Sequence, residues 1–504
     1  MKRPPSCSRR NFLGLGTGIA AATGLASRHG NGALASSFLK TSMSDSPGIT
    51  AHPAIPASPP VRKPLRPFGI FMANHNGDTG LRWWEVERWR REIADHQRMG
   101  ANSLWYLPFE FGQRTPADFE DQAPHWVLQR NICRAIADAG FEVGIYVGLN
   151  DVFPDSWNAH PEWRATKGDY FLEQAEVCPS IPEARQEMLR LRERLFAGLP
   201  RLDYILTVIT DYGGCGCDKC APYPKTFMRV LEEQTAIARR YHPQAKIVIT
   251  GISASVADND MLRGMLPQAP WIDYVWDLPR GPKPLIRAGM LPETTMVNGW
   301  GQYGPCPVLA DIKRGYELDR IHLSGVAQYC EGVHDDVNRF ALLQFAQDPE
   351  RAVEDVAQAY ARDWLKLGGR DATLAAEVIT GLGTEIISDR LWTSPDFGAD
   401  NPRADERIRI MLDLRTRSRG LEDNYRYWLL HYRAVCEAFC AKSGPLTVET
   451  LCQEADAARA AFLRLEPAYG QYIAKLAAYH RPGRSPWNWP RSFKAAWAHE
   501  NSFV

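Results

Sequence analysis

The stretch from Tyr204 to Cys220, YILTVITDYGGCGCDKC, places an apolar, β-branched run directly before an acidic residue, two glycines and three cysteines. The run from Tyr204 to Thr210 has the composition of a strand that is buried on both faces. In parallel barrels, the polar residues that follow the strands collect at one rim. The abrupt change at Asp211 therefore predicts a barrel strand that carries a carboxylate to this rim.

The same pattern recurs along the chain, where apolar strand-like runs alternate with amphipathic helical stretches. Such alternation predicts βα units and a parallel sheet. The predicted strands lie near 68–73, 103–107, 142–148, 204–210, 246–250, 273–276, 294–297 and 321–329. The clearest predicted helices, with apolar residues at three- and four-residue spacing, are 83–99, 123–139, 182–198 and 226–241. Eight strands of this kind predict an α/β fold, a (β/α)8 TIM barrel over residues 68–348.

Beyond Asp348 and Pro349 the strand-like runs stop, and the chain becomes rich in Ala, Arg, Glu and Leu with helical periodicity. This change predicts a C-terminal helical domain over residues 349–504. A chain of 504 residues is long enough for two or three domains, which agrees with this division.

The amino terminus has the pattern of an export signal. Ser8-Arg9-Arg10-Asn11-Phe12-Leu13 precedes a mildly apolar run rich in Gly and Ala, and Ala33-Leu34-Ala35 is a small-residue cleavage site. These features predict a twin-arginine signal peptide over residues 1–35, followed by a flexible linker rich in Pro, Ser and Ala over 36–67. We therefore expect export by the Tat machinery to a periplasmic or secreted location.

Overall charge and hydropathy exclude two classes of partner. Lys plus Arg and Asp plus Glu both number 59, so the chain has no net field that would attract nucleic acid. No segment after the signal offers about 18 uninterrupted apolar residues, so we expect no membrane span.

Polar and aromatic residues follow the predicted strands. The polar ones are Asn74, His75, Glu110, Asn150, Asp211, Asp277, Asn298 and Glu331. The aromatic ones proposed to accompany them in substrate binding are Tyr212, Trp276, Trp300 and Tyr329. Carboxylates, amides and exposed rings together are typical of carbohydrate sites, where rings stack on sugars and carboxyl groups act on the glycosidic bond. Each strand-end acid or amide could instead cap the next helix, and that is our interpretation of Asp335 and Asp336.

Cys215, Cys217 and Cys220 have a spacing that suits tetrahedral zinc, with Cys178 as the natural fourth ligand. A disulfide within the same set is the alternative, because an exported protein meets an oxidising environment. In either case we expect the cysteines to fix the loop that carries Asp211, and we expect catalysis to require no cofactor.

Two motifs resemble those of a protein family. Thr210 to Cys220, TDYGGCGCDKC, and Tyr329 to Asn338, YCEGVHDDVN, resemble secreted bacterial (β/α)8 barrel proteins related to the α-glucuronidase and hexosaminidase-like glycoside hydrolases. The resemblance covers roughly residues 68–370. It implies a glycosidase that acts on an oligosaccharide or polysaccharide.

The leading hypothesis assigns the chemistry to two carboxyl groups. Asp211 is the expected general acid and Glu331 the expected base or nucleophile, with Asp277 as the substitute for either. Asn74, Asn150 and Asn298 are expected to bind sugar hydroxyls. A non-catalytic carbohydrate-binding barrel remains the alternative, and a metal-dependent isomerase or lyase is disfavoured because the strand ends are poor in His.

Overall fold

The computed structural model describes residues 64–72, 81, 84–167, 175–209, 213–251, 254–276, 278, 282–287, 307–330, 333–382, 403–441 and 446–468. The predicted signal peptide and the predicted linker up to residue 63 lie outside these residues. Within the described part of the chain, no helix combines the length and apolar character needed to cross a membrane.

Eight parallel strands close into a barrel, which confirms the predicted (β/α)8 TIM barrel. Each strand pairs with the next along the chain, and the last returns to the first with Phe71 opposite Tyr329. The strands are β1 Phe68–Met72, β2 Ser103–Tyr106, β3 Glu142–Val147, β4 Tyr204–Val208, β5 Lys246–Thr250, β6 Tyr274–Trp276, β7 Leu285–Arg287 and β8 Leu323–Cys330.

The seventh strand lies elsewhere than the sequence predicts. The predicted run at 294–297 is outside the described residues, and the barrel is closed by Leu285–Arg287, where Ile286 pairs with Trp276 and Leu285 with Leu323. Three residues that follow Pro282 and Pro284 are too few to show strand periodicity. The prediction placed Asn298 and Trp300 directly after the seventh strand. This is wrong, because the strand ends at Arg287.

Helices surround the barrel and continue past it. The described α-helices of the barrel and its loops are α1 Val86–Arg98, α2 Pro124–Asp138, α3 Pro154–Ala159, α4 Pro182–Gly198, α5 Tyr223–Tyr241, α6 Val256–Met265, α7 Leu309–Asp319 and α8 Asp336–Gln347. The described helices beyond residue 348 are α9 Val353–Asp363, α10 Gly369–Gly381, α11 Ala404–Arg417, α12 Tyr425–Ala441 and α13 Val448–Leu465. The described chain after the barrel is thus helical, as predicted.

Side chains of each strand alternate between two cores. On β4, Tyr204, Leu206 and Val208 point into the barrel, while Ile205 and Ile209, the residue after the strand, pack against the helices. Both faces are buried, which explains why the strand appears in the sequence as a continuous apolar run.

Buried charges lie between the barrel helices and the later helices. Glu92 of α1 is fully buried and pairs with Arg88 at 2.8 Å and with Arg339 of α8. Arg339 also pairs with Asp336 at 3.0 Å, and Arg426 of α12 reaches Asp336 at 2.7 Å. We call Arg88, Glu92, Asp336, Arg339 and Arg426 the interface cluster. It joins α1, α8 and α12 by charge-assisted hydrogen bonds.

Candidate functional site

Four aromatic rings form a layer inside the barrel near its carboxyl-terminal end. Phe71 lies at the centre, with ring centroids 5.4 Å from Tyr329, 5.8 Å from Trp276 and 6.3 Å from Tyr146. These residues occupy the last or next-to-last positions of β1, β8, β6 and β3. We call them the aromatic layer. Because active sites of TIM barrels lie at this end, the layer forms the floor of the candidate site.

The interior below the aromatic layer is filled. Trp105 and Tyr204 stack with ring centroids 5.2 Å apart, and Tyr204 donates a hydrogen bond to Glu142 at 3.3 Å near the opposite end of the barrel. Burial and the neighbouring Glu142 raise the pKa of Tyr204 well above its usual value, so this hydroxyl stays protonated. An eight-stranded barrel packed in this way has no channel, and a ligand would approach from the carboxyl-terminal side.

Trp276 carries a buried polar atom without a partner. Its side chain is 2% exposed, and its Nε1 has no hydrogen-bond partner among the described residues. Buried indole N–H groups are normally hydrogen-bonded. The orphaned donor in the aromatic layer is therefore a position where a ligand hydroxyl or a water would be stabilised.

The three predicted catalytic carboxyl groups, Asp211, Asp277 and Glu331, lie outside the described residues. So do the predicted substrate-binding residues Asn74, His75, Tyr212, Asn298 and Trp300. Along the chain, Asp277 directly follows the last residue of β6, Glu331 directly follows the last residue of β8, and Asp211 is three residues beyond the end of β4.

Of the described candidates, Trp276 and Tyr329 lie together, with ring centroids 6.4 Å apart. Glu110 occupies the loop after β2. It lines a small cavity between the loop after β2 and the helices α1 and α2, with Trp89, His125 and Gln129 among the other walls.

Asn150 braces two loops instead of facing an open cavity. It is fully buried, and its Nδ2 donates to the carbonyls of Val177 at 2.8 Å and Gly214 at 3.1 Å. The Gly214 N–H donates back to Asn150 Oδ1 at 3.2 Å. Glycine is needed beside it, because a Cβ on Gly213 would lie 2.9 Å from that oxygen and Gly214 has a φ of 111°. Both hydrogens of the Asn150 amide are thus used within the protein.

The four predicted cysteines converge. Sγ atoms of Cys178, Cys215, Cys217 and Cys220 all lie within 4.8 Å of one another, and all four thiols are free. Cys178 Sγ is 3.6 Å from that of Cys217 and 3.5 Å from that of Cys220. We call this set the cysteine cluster.

Asp335 and Asp336 occupy the predicted positions at the start of α8, as the N-cap residue and the acid of the first turn. Asp335 is the N-cap residue and its side chain makes no cap hydrogen bond. It is 3% exposed with no described partner for Oδ1, and burial raises its pKa to about 7. Burial opposes the charge of Asp336 as well, but Arg426 and Arg339 outweigh it and lower the pKa of this carboxyl.

The sequence analysis missed Phe71 and Tyr146 because it considered residues that follow the strands. The alternation of side chains between the two faces of a strand could have predicted them. Phe71 and Tyr146 each stand one residue before the end of a strand, at positions that point inward.

Comparisons with solved structures return glycoside hydrolases. A GH138 enzyme described as targeting pectin rhamnogalacturonan II matches with a TM-score of 0.50 and 9% identity over 82% of this chain and 62% of that one. This chain therefore spans less than two thirds of that enzyme's length. The Flavobacterium johnsoniae chitobiase matches with a TM-score of 0.41 and 9% identity, over 77% of this chain and 74% of that one.

The β-N-acetylhexosaminidase from Bacteroides fragilis NCTC 9343 matches with a TM-score of 0.39 and 13% identity, over 60% of this chain and 71% of that one. A scan against protein-family models found no match, and neither did a search of the curated proteins. At such identities the likeness concerns the fold alone. The chain shares the TIM-barrel fold with the GH138 enzyme.

Proposed function

We propose that this protein hydrolyses glycosidic bonds, with Asp211 and Glu331 as its pair of carboxyl groups. The aromatic layer carries the proposal, since it places the half-buried ring of Tyr329 and the Trp276 N–H, which has no partner among the described residues, at the end of the barrel where such enzymes act. Rings stack on the apolar faces of sugars, and the indole would donate to a hydroxyl. The chain runs from this layer directly into the proposed acids, since Trp276 precedes Asp277 and Tyr329 stands two residues before Glu331.

In the proposed mechanism, Asp211 is protonated and delivers its proton to the leaving-group oxygen. Glu331 is ionised and acts either as nucleophile or as the base that activates water, depending on the separation of the two carboxyl groups. Asp277 is the substitute for either role. Asn74, His75, Asn298 and Trp300 are proposed to contact the sugar.

The test is a screen of the purified protein against aryl glycosides and plant and bacterial polysaccharides, followed by Asp211→Asn and Glu331→Gln. On polysaccharides and on glycosides with basic leaving groups, we expect each substitution to lower kcat by about 10²- to 10⁴-fold, as removal of an acid or base does. Glu232→Gln, on an exposed position of α5, is the matched control and should keep the wild-type rate. Sugar release that survives both substitutions would refute the assignment.

The second candidate is a non-catalytic carbohydrate-binding barrel. The aromatic layer and the Trp276 N–H would suffice for binding without chemistry. This candidate wins if the wild-type protein binds sugars in calorimetry yet releases none from any substrate of the screen.

We also propose export by the twin-arginine route to the periplasm or the medium, from the motif at residues 8–13. Replacing both Arg9 and Arg10 by Lys should leave the unprocessed chain in the cytoplasm of a bacterial host, as seen by fractionation. Normal processing and export of the double variant would contradict this.

A further inference from the structure

We propose that Cys178, Cys215, Cys217 and Cys220 bind one Zn²⁺ as a structural tetrathiolate site. This site takes no part in the hydrolytic step. The claim that it positions the loop carrying Asp211 rests on the proposed function.

The spacing of the sulfurs fits zinc. A tetrahedral site with Zn–S bonds of about 2.3 Å separates its sulfurs by about 3.8 Å. Cys178 Sγ lies 3.6 and 3.5 Å from two partners at once, and all four atoms fall within 4.8 Å. A disulfide joins only two sulfurs, at about 2.05 Å, and would leave the others of this cluster unpaired or forced into a second bridge.

The surroundings favour thiolates. The Thr166 N–H donates to Cys215 Sγ at 3.4 Å, and the backbone of Cys217 also hydrogen-bonds this sulfur. The backbone of Ser180 hydrogen-bonds Cys178. Four thiolates around Zn²⁺ carry an excess negative charge, and backbone N–H groups that point at the sulfurs stabilise it as outer-shell partners.

The donor set excludes metals that prefer oxygen ligands and favours a structural role. Four sulfurs without a carboxylate or imidazole suit Zn²⁺ and leave no open position, so this is a closed structural site. Cys178, Cys215 and Cys220 are buried and Cys217 is half-buried, which limits exchange with solvent.

The site joins two barrel loops. Cys178 belongs to the loop after β3, and the other three cysteines belong to the loop after β4. The backbone between them is already tied by Asn150 and by the Gly216 N–H, which donates to the Thr166 carbonyl at 2.7 Å. Residues 210–212 alone separate Ile209 from Gly213, so zinc would fix the far end of the short segment that contains Asp211 and Tyr212.

The test uses the full chain purified without chelator. We expect about one equivalent of zinc by mass spectrometry of the metal. A mercurial that reacts with four thiols of the protein should release this zinc. Replacement by Co²⁺ should give the visible bands of tetrahedral cobalt thiolate. Cys215→Ser should lose the metal, and Cys452→Ser, which removes a thiol of α13, should keep one equivalent.

Disulfide-linked peptides among these four cysteines in the native protein overturn the site, and so does a reduced, metal-free chain that does not take up zinc. These readouts do not depend on hydrolysis, so they stand if no substrate is found. If activity is found, zinc removal should lower kcat by up to about 10²-fold through misplacement of the Asp211 segment. An unchanged kcat in the zinc-free protein overturns the positioning role alone.

Discussion

Asp335 and Asp336 are neighbours in the chain, but their carboxyl groups have opposite surroundings. Asp335 is buried, and this burial outweighs the nearby Arg339 and raises its pKa to about 7. Asp336 is buried between Arg339 and Arg426, which keep it ionised. The sequence could place both residues at the start of a helix, but it could not reveal this difference, because Arg426 is 90 residues away from Asp336.

Asp335 should make stability depend on pH. Its folded pKa of about 7 lies above its ordinary value of 3.8, so the folded state binds more protons and loses stability as pH rises between these values. Asp335→Asn cannot ionise. In urea unfolding, wild type should therefore lose about 2 to 3 kcal/mol relative to Asp335→Asn between pH 5 and pH 8. A difference between the two proteins that is the same at both pH values would contradict this.

Glu92 should be among the costly positions for substitution. Burial opposes its charge, but Arg339 and Arg88 hold the pKa of this carboxyl below its ordinary value. Glu92→Gln leaves buried guanidinium groups uncompensated and should lower the free energy of unfolding by about 3 to 5 kcal/mol.

The matched control for Glu92 is Glu87→Gln on the same helix. Glu87 pairs with Arg90 at the surface, with a side-chain exposure of 71%, and its loss should cost under about 1 kcal/mol in the same denaturation assay. Equal losses in the two variants would show that the interface cluster is not coupled as described.

At the scale of elements, the loops after β3 and β4 depend on each other. Asn150, in the loop after β3, holds backbone groups of both loops, and the cysteine cluster joins them again. The cysteine spacing allowed their convergence to be predicted. The role of Asn150 could not be, since an amide after a strand equally suits a sugar, a helix cap or a neighbouring loop.

The substitution Asn150→Ala tests whether the loops after β3 and β4 depend on each other. It leaves the carbonyls of Val177 and Gly214 and the Gly214 N–H without their partner, and we expect a loss of about 2 to 4 kcal/mol in the free energy of unfolding. Asn131→Ala, which removes an exposed hydrogen bond with Arg134 on α2, should change it by under about 1 kcal/mol. Wild-type stability of Asn150→Ala would refute the bracing role.

At the scale of the whole molecule, the barrel and the helices after residue 348 share buried charges. Arg88 of α1 pairs with Glu466 at 2.9 Å in addition to its contacts within the interface cluster. Arg426 also reaches Asp95 of α1 at 2.6 Å. Charges this deeply placed are stable only while both sides stay together.

We therefore expect the barrel and the helices from α9 to α13 to unfold together. Calorimetry should give one transition, coincident with loss of tertiary signal. Arg426→Met would be expected to lower its midpoint without splitting it. Two separated transitions in the wild-type protein would mean that the interface cluster does not couple the two parts.

Much of this architecture was predictable, because most strands and helices leave a pattern of apolar residues in the sequence. Elements and contacts that leave no such pattern could not be predicted. Strands such as β4, buried on both faces, leave a continuous apolar run, and helices such as α4 leave an amphipathic period. The strand β7 has only three residues and leaves neither an apolar run nor a period in the sequence. The interface cluster was invisible because Glu92 and Arg339 are 247 residues apart and each resembles an ordinary exposed helix charge. For the site, the strand ends predicted where polar groups occur, but not the inward rings of Phe71 and Tyr146.

The central claim, hydrolysis by Asp211 and Glu331, is tested most directly by kcat/KM across aryl glycosides of increasing leaving-group pKa. Asp211→Asn should keep near wild-type rates on the most acidic phenols, which need no protonation, and should lose activity progressively as the leaving group becomes more basic. Glu331→Gln should lose activity on all of them. A plot for Asp211→Asn that runs parallel to the wild-type plot, or wild-type rates for Glu331→Gln, would contradict the assignment.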